Sequence, residues 1–144
     1  MVLEYGESVN FLAVVVASIA SMAIGFVWYS PFAFGKTWMK LMGKSAKDME
    51  AGKKKSNMPL MMGVNFISTL VMAYVLALFM LYSGSDWTPM QGAMAAFWAW
   101  LGFVATVTLS SVLWEGKPVK LYILNAAHYL VGMLVMGAII AAWP

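Results

Sequence analysis

The sequence contains neither cysteine nor arginine among its 144 residues, and only 10% of the residues are charged. Without cysteine the chain forms no disulfide, binds no metal through thiolates and has no cysteine nucleophile. Without arginine it lacks the side chain best suited to reading bases, so its net charge of +3 does not predict nucleic-acid binding. It also has no phosphate-binding glycine loop, zinc motif, Ser-His-Asp arrangement or dinucleotide fingerprint. We therefore expect neither an enzyme nor a cofactor.

Apolar residues make up 62% of the chain and gather in four segments, residues 9–29, 59–82, 90–114 and 119–142. Each segment has about the 20 residues that a helix needs to cross a bilayer. The segments predict an all-α, polytopic membrane protein with one domain, residues 1–144, and leave no room for a soluble catalytic domain. Because Glu4 and Glu7 precede the first segment without any lysine, we expect a permanent span there and not a cleaved signal peptide.

The lysines are concentrated in the first loop, residues 31–58, which holds seven of the nine. With Asp48 and Glu50 this loop carries a net charge of +5. The second loop has only Asp86, and the third has two lysines and one acid. Since cytoplasmic loops are enriched in lysine and arginine, we expect loops one and three in the cytoplasm and both termini outside.

The first loop also has the pattern of helices that lie on a membrane. Pro31 predicts a turn after the first span. Apolar residues then share one helical side and lysines the other: Phe34, Trp38 and Leu41 against Lys36, Lys40 and Lys44. This pattern predicts an amphipathic helix at the cytoplasmic interface. Ser45 with Asp48 predicts the start of a second short helix, and Gly52 its end.

Eight aromatic and basic residues beside the spans are predicted to lie at the interface and bind lipid. They are Trp28, Tyr29, Lys36, Trp38, Lys40, Lys44, Trp114 and Lys117. Tryptophan and tyrosine prefer the headgroup level, and lysine prefers anionic lipid. A simpler interpretation makes the basic loop a topology anchor without further chemistry.

The chain resembles a duplicated hairpin, with halves at residues 9–83 and 90–142. Each half has a span, a tryptophan, a Gly-Lys pair and a second span with an asparagine near its start, Asn65 or Asn125. Because each half crosses twice, the copies would share one orientation, as in parallel transporter repeats. The alternative is that two hydrophobic hairpins resemble each other by chance.

Small residues recur at helical spacing and predict faces where helices approach closely. The stripe on the first span is Ala13, Ala17, Ser21 and Gly25; that on the third is Ala95, Ala99, Gly102, Thr106 and Ser110. Ala73 and Ala77 form a shorter stripe on the second span.

The only histidine, His128, lies within the fourth span, where polar groups are costly and are candidates for function. The repeat predicts a polar intramembrane cluster of Asn65, Ser68, Thr69, Asn125, His128 and Tyr129, with Thr106 and Ser110 as further candidates. Such a cluster could pass a proton, line a pore or hold a polar solute. The alternative is that these groups form hydrogen bonds between helices and only fix the packing.

No metal or haem site is predicted. Asn125 and His128 have the spacing of a metal pair, but no intramembrane carboxylate joins them. Haem would need His128 with a methionine or a second His128 from another subunit, and the 14 methionines are scattered as packing residues would be. Glu115 is expected to pair with Lys117 or Lys36 at the interface, or to guard a pore mouth.

Three stretches resemble a family of small bacterial membrane proteins known as DUF1761, a domain of unknown function. They are Trp28-Tyr29-Ser30-Pro31 followed by Phe34-Gly35-Lys36-x-Trp38, the run from Leu113 through Glu115-Gly116-Lys117-Pro118, and the tail Leu130-Val131-Gly132-Met133-Leu134-Val135-Met136-Gly137. The resemblance covers essentially the whole chain. It implies a four-helix protein of the bacterial inner membrane and supplies no activity, cofactor or catalytic residue.

Together these features predict a homo-oligomer, most simply a twofold dimer. The expected function is transport or conduction of a proton, ion or small solute along the polar cluster. The alternative is a non-catalytic scaffold or accessory subunit that binds a larger membrane protein.

Overall fold

The structure is a computed structural model that describes residues 8–84 and 86–143. Over these ranges it is helical and contains no strand. The helices are α1 Phe11–Trp28, α2 Gly35–Met42, α3 Ala46–Lys55, α4 Met58–Ser83, α5 Pro89–Leu113 and α6 Val119–Ala142. Helices α1, α4, α5 and α6 are long and apolar enough to cross a bilayer, which confirms the all-helical class and the number of candidate spans. The predictions for the termini concern residues 1–7 and 144, which lie outside the described part.

Polar caps determine where the long helices begin. The side chains of Asn10 and Asn57 accept hydrogen bonds from the first free amides of α1 and α4. Thr88 and Gln91 form a reciprocal capping box at the start of α5, where the second loop ends. The resulting lengths are unequal: α1 has 18 residues, whereas the other three have 24 to 26. Helix α1 is therefore about 9 Å shorter than α6.

Helix α6 is the centre of the bundle and packs along both α1 and α5. Its neighbours approach through small residues. Ala13 and Ala17 of α1 are fully buried, and a side chain at Gly132 of α6 would meet the Ser21 hydroxyl at 2.9 Å. Between α5 and α6 the backbones themselves touch, because a Cβ at Gly92 or Gly137 would meet the carbonyl of the other. The small stripe predicted on α1 is thus confirmed as a helix contact.

The stripe predicted on α5 is only partly correct. Ala95 and Ala99 pack against the core, but Gly102 and Thr106 are exposed, and Gly92 and Ala96 make the close contact. The cause is a π-helical turn at Leu101–Ala105. A π turn inserts one extra residue, which rotates the following side chains by about 100°. The face chosen by regular α spacing therefore turns away from α6 halfway along the helix.

Helix α4 packs mainly against α1, less against α6, and barely touches α5. If the two halves were related by a twofold axis, the α4–α5 contact would match the α1–α6 contact in extent. It is much smaller than the α1–α6 contact. The duplication of residues 9–83 and 90–142 therefore stays a prediction.

The first loop forms two short helices, as the pattern predicted. Helix α3 begins with the expected capping box between Ser45 and Asp48, and hydrogen bonds from the Ser45 backbone and hydroxyl lower the pKa of Asp48. The predicted end at Gly52 is wrong, since α3 continues to Lys55. A glycine inside a helix costs only about 1 kcal/mol relative to alanine. The three lysines that follow Gly52 stabilise the last turn of α3, because positive side chains interact favourably with the carbonyl end of a helix.

A vestibule that reaches His128

A cavity of about 1150 Å³ lies between α1, α4, α5 and α6, with residues of α2 and α3 along one side. It exists because α1 is short. At one end of α1, Asn10 donates a hydrogen bond to the carbonyl of Trp143; at the other, Gly25 lies against His128. Because α1 has six residues fewer than α6, the first turns of α6 extend about 9 Å beyond the end of α1. We call this cavity the vestibule.

The chain folds back sharply where α1 ends. The Phe34 amide donates to the Trp28 carbonyl at 2.9 Å, and the Gly35 amide donates to the Ser30 carbonyl at the same distance. A side chain at Gly35 would clash with the carbonyl oxygens of Tyr29 and Ser30. The turn therefore depends on glycine, and it returns α2 to the level of the vestibule.

His128 lines the vestibule and lies within an aromatic shell. Its ring centroid is 5.1 Å from the rings of both Tyr29 and Tyr129 and 6.1 Å from that of Trp28. Both ring nitrogens are buried, and neither has a hydrogen-bond partner among the described residues. The indole N–H of Trp28 is in the same condition. Buried polar atoms without protein partners, beside a roomy cavity, are where water or a ligand binds.

Tyr29 and Asn125 join the end of α1 to α6. The Tyr29 hydroxyl donates to the Asn125 side-chain oxygen at 2.7 Å, and both residues line the vestibule. Tyr29 was predicted at headgroup depth, but its ring faces inward. It makes a T-shaped contact with the ring of Trp38, and the two ring centroids are 6.0 Å apart. This bond agrees with the packing interpretation of the polar cluster, whereas the unpartnered nitrogens of His128 do not.

The wall formed by α4 contains Asn65 and Thr69. The side-chain amide of Asn65 donates to the Met22 sulfur at 3.2 Å, and the Thr69 hydroxyl donates to the backbone carbonyl of Asn65 at 2.9 Å. Ser68 is exposed and does not line the vestibule. The structure therefore brings five of the six predicted cluster residues together. Of the further candidates, Ser110 lines the vestibule and Thr106 does not.

The π turn of α5 lies next to the part of α6 that lines the vestibule with Tyr122 and Ala126. The hydroxyl of Tyr122 donates to the Ala105 carbonyl at 2.7 Å, and the Trp100 indole donates to the Ala126 carbonyl at 2.9 Å. π turns leave carbonyls free for such bonds and are frequent at functional sites. Sequence reasoning missed Tyr122, although a tyrosine inside an apolar span usually seeks a polar partner.

Charged residues surround the mouth of the vestibule: Lys36, Lys53, Glu115 and Lys117. Glu115 pairs with Lys117 at 3.5 Å, which confirms the predicted interfacial salt bridge. No other salt bridge is found within residues 8–84 and 86–143, so no carboxylate described there pairs with Lys36 or Lys53. The mouth therefore has an excess of positive charge. Lys53 was not among the predicted site residues.

The remaining predicted interfacial residues lie away from the vestibule. Lys40 and Lys44 are exposed on the first loop, and Trp114 is 86% exposed at the end of α5. Their role in binding lipid stays a prediction. Trp28, in contrast, is half-buried between Phe34 and His128.

Much of the vestibule wall is methionine. Seven methionines line it: Met22, Met39, Met49, Met58, Met72, Met133 and Met136. The unbranched thioether side chain adapts its shape easily and is common at surfaces that accept varied apolar ligands. In the described part of the chain, no three histidine, aspartate or glutamate side chains lie close enough to hold a metal ion.

Comparison with known proteins provides a family and no activity. A family model described as "Protein of unknown function (DUF1761)" matches residues 12–141, nearly the whole chain. No curated protein and no solved structure matches the chain.

Proposed function

We propose a function for this chain as a member of the DUF1761 family, to which it belongs by the match over residues 12–141. The protein is a small transporter or channel that passes a proton, an ion or a small solute through the vestibule. One observation carries the proposal: the cavity reaches His128, whose two buried nitrogens have no partner among the described residues. A residue retained only for packing would be expected to use them.

The vestibule does not cross the bundle. Its lining ends at Ser21, Met72, Val107 and Met136, and the core beyond these residues is tightly packed, with Ala13, Ala17, Ala73 and Ala96 fully buried. A site that is open to one side and sealed from the other is what alternating access requires of one of its states. By the lysine content of the first loop we place the open side in the cytoplasm and both termini outside, in the bacterial inner membrane.

We also propose that the protein works as a homo-oligomer, most simply a dimer. Ser68 is exposed on α4 and does not line the vestibule. Polar side chains facing hydrocarbon are unfavourable, and small polar residues commonly lie at helix contacts in membranes. A second copy would cover this face. Because the chain has no cysteine of its own, a cysteine at Ser68 should form a disulfide between copies if α4 lies near the twofold axis.

A cysteine placed in the vestibule tests the pathway. In proteoliposomes, Thr69→Cys should lose most of its proton, potassium or chloride flux when a charged thiosulfonate is added on the cytoplasmic side. Lys44→Cys is the matched control, since Lys44 is exposed on the first loop and does not line the vestibule. It should react with the same reagent and keep its flux. Absence of flux in the unmodified protein, or equal block of the two variants, would contradict the pathway.

The alternative function is a non-catalytic scaffold or accessory subunit of a larger membrane complex. It is supported by the Tyr29–Asn125 bond, through which part of the polar cluster joins the end of α1 to α6. Native mass spectrometry of protein extracted gently from its own membrane distinguishes the two. A stoichiometric complex with a larger protein supports the scaffold, whereas a homo-oligomer supports transport.

A further inference from the structure

A second, smaller cavity of about 320 Å³ continues from the vestibule. It lies between α4 and α5, where those helices barely touch, and Met72 and Met133 line both cavities. The other residues that line this groove are apolar, among them Val75, Leu76 and Phe103. The two cavities thus form one path that begins at lysines and ends among hydrocarbon side chains.

The length of this path matches one leaflet of a membrane. Lys117 lies just before α6, which begins at Val119, and Met133 is 14 residues further along, about 21 Å by helical rise. A bilayer with its headgroups is roughly 40–45 Å thick, so half of it is of the same length. Charge is thus at headgroup level and the apolar groove near the midplane.

The size and charge of the path specify its ligand further. The vestibule alone exceeds the roughly 300–1,000 Å³ of pockets for drug-sized ligands, so one acyl chain or one small anion would leave it largely unfilled. At the mouth, Lys36 and Lys53 pair with no described carboxylate. Ammonium groups in this setting favour phosphate, and adaptable methionine walls favour acyl chains.

We propose that the vestibule and the α4–α5 groove together bind one anionic phospholipid. Its phosphate lies at Lys36 and Lys53, and one acyl chain passes Met72 and Met133 into the groove. The inference goes beyond the proposed function, because it concerns a ligand that binds in the vestibule and not the proton, ion or solute that passes through it. It concerns binding, which is measured without any assay of flux.

The test is native mass spectrometry of the purified protein titrated with phosphatidylglycerol and with phosphatidylcholine of identical chains. The protein should bind phosphatidylglycerol at least several-fold more tightly. Lys36→Gln with Lys53→Gln should weaken that binding by about tenfold and leave phosphatidylcholine unchanged. Lys47→Gln with Lys54→Gln removes the same charge from the same loop, at exposed positions that neither line the vestibule nor belong to the predicted lipid-binding residues, and should change binding less than twofold.

A second pair of variants tests the acyl chain. Val75→Trp fills the groove and should weaken both lipids, whereas Val64→Trp, at an exposed position of α4 that lines neither cavity, should weaken neither. Equal affinity for the two lipids, equal loss in both lysine pairs, or displacement by inorganic phosphate or oleate at matching concentration would overturn the proposal. Lipid binding without flux would leave this proposal intact and refute transport. Flux that depends on His128, without selectivity between the two lipids, would support transport and refute lipid binding.

Discussion

We expect replacement of His128 by alanine to abolish flux through the vestibule while the protein still inserts and folds. This is the largest functional effect that we expect of a single substitution. The imidazole lines the vestibule with both nitrogens free of partners in the described structure, and the four long helices contain no other histidine and no carboxylate. The measurement is proton or ion flux in proteoliposomes at matched protein density.

Loss of the His128 imidazole should not lower the stability of the protein, although it should abolish flux. His128→Leu removes two buried polar atoms that make no described hydrogen bond, and such unsatisfied groups cost about 1–3 kcal/mol each when buried away from water. We expect its midpoint of thermal unfolding in detergent to equal or exceed that of the unmodified protein. Histidine retained as packing glue would show the reverse, a lower midpoint with flux unchanged, and that outcome would refute its role in the pathway.

Gly25→Ala examines the same contact from α1. A Cβ at Gly25 would lie 3.1 Å from the His128 Nε2, closer than ordinary contact, so the ring must shift by a few tenths of an ångström. Partial loss of flux is the expected result, because the aromatic shell leaves the ring little room.

Gly137→Ala should cause the largest loss of stability. The added Cβ would clash with the carbonyl of Gly92 and approach the Ala96 Cβ at 2.8 Å. Backbone atoms cannot move aside as flexible side chains do, so α5 and α6 must separate along their contact. Overpacking of this kind costs typically 1–3 kcal/mol, and Gly137→Leu should prevent folding altogether.

Gly63→Ala is the matched control for this prediction. Gly63 lies inside α4, and a Cβ there would meet nothing within 4 Å. Alanine is favoured over glycine in a helix by roughly 0.5–1 kcal/mol, so this variant should unfold at the same temperature or a slightly higher one. Equal unfolding midpoints for Gly63→Ala and Gly137→Ala would show that the α5–α6 contact is not close-packed as described.

Much of the fold follows from the sequence alone. Four apolar segments of bilayer length predict four long helices, because hydrocarbon admits only segments whose backbone bonds are internal. Local chemistry predicts the Ser45–Asp48 capping box and the Glu115–Lys117 ion pair, since both join residues within one turn of each other. Local signals also mislead, as at Gly52, where a weak helix breaker lies inside a helix that continues to Lys55.

The candidate site depends on the tertiary structure. Helical spacing places Asn65 and Ser68 near one another on α4, but only packing decides that Asn65 lines the vestibule and Ser68 does not. Tyr29 has the amphipathic side chain of an interfacial anchor, yet the turn at Gly35 directs it to Asn125, 96 residues away in the chain. The π turn in α5 and the vestibule itself have no marker in the sequence pattern. Periodicity reports which residues prefer hydrocarbon, whereas a cavity arises from the difference in length between α1 and its neighbours, which becomes visible only when the helices are aligned side by side.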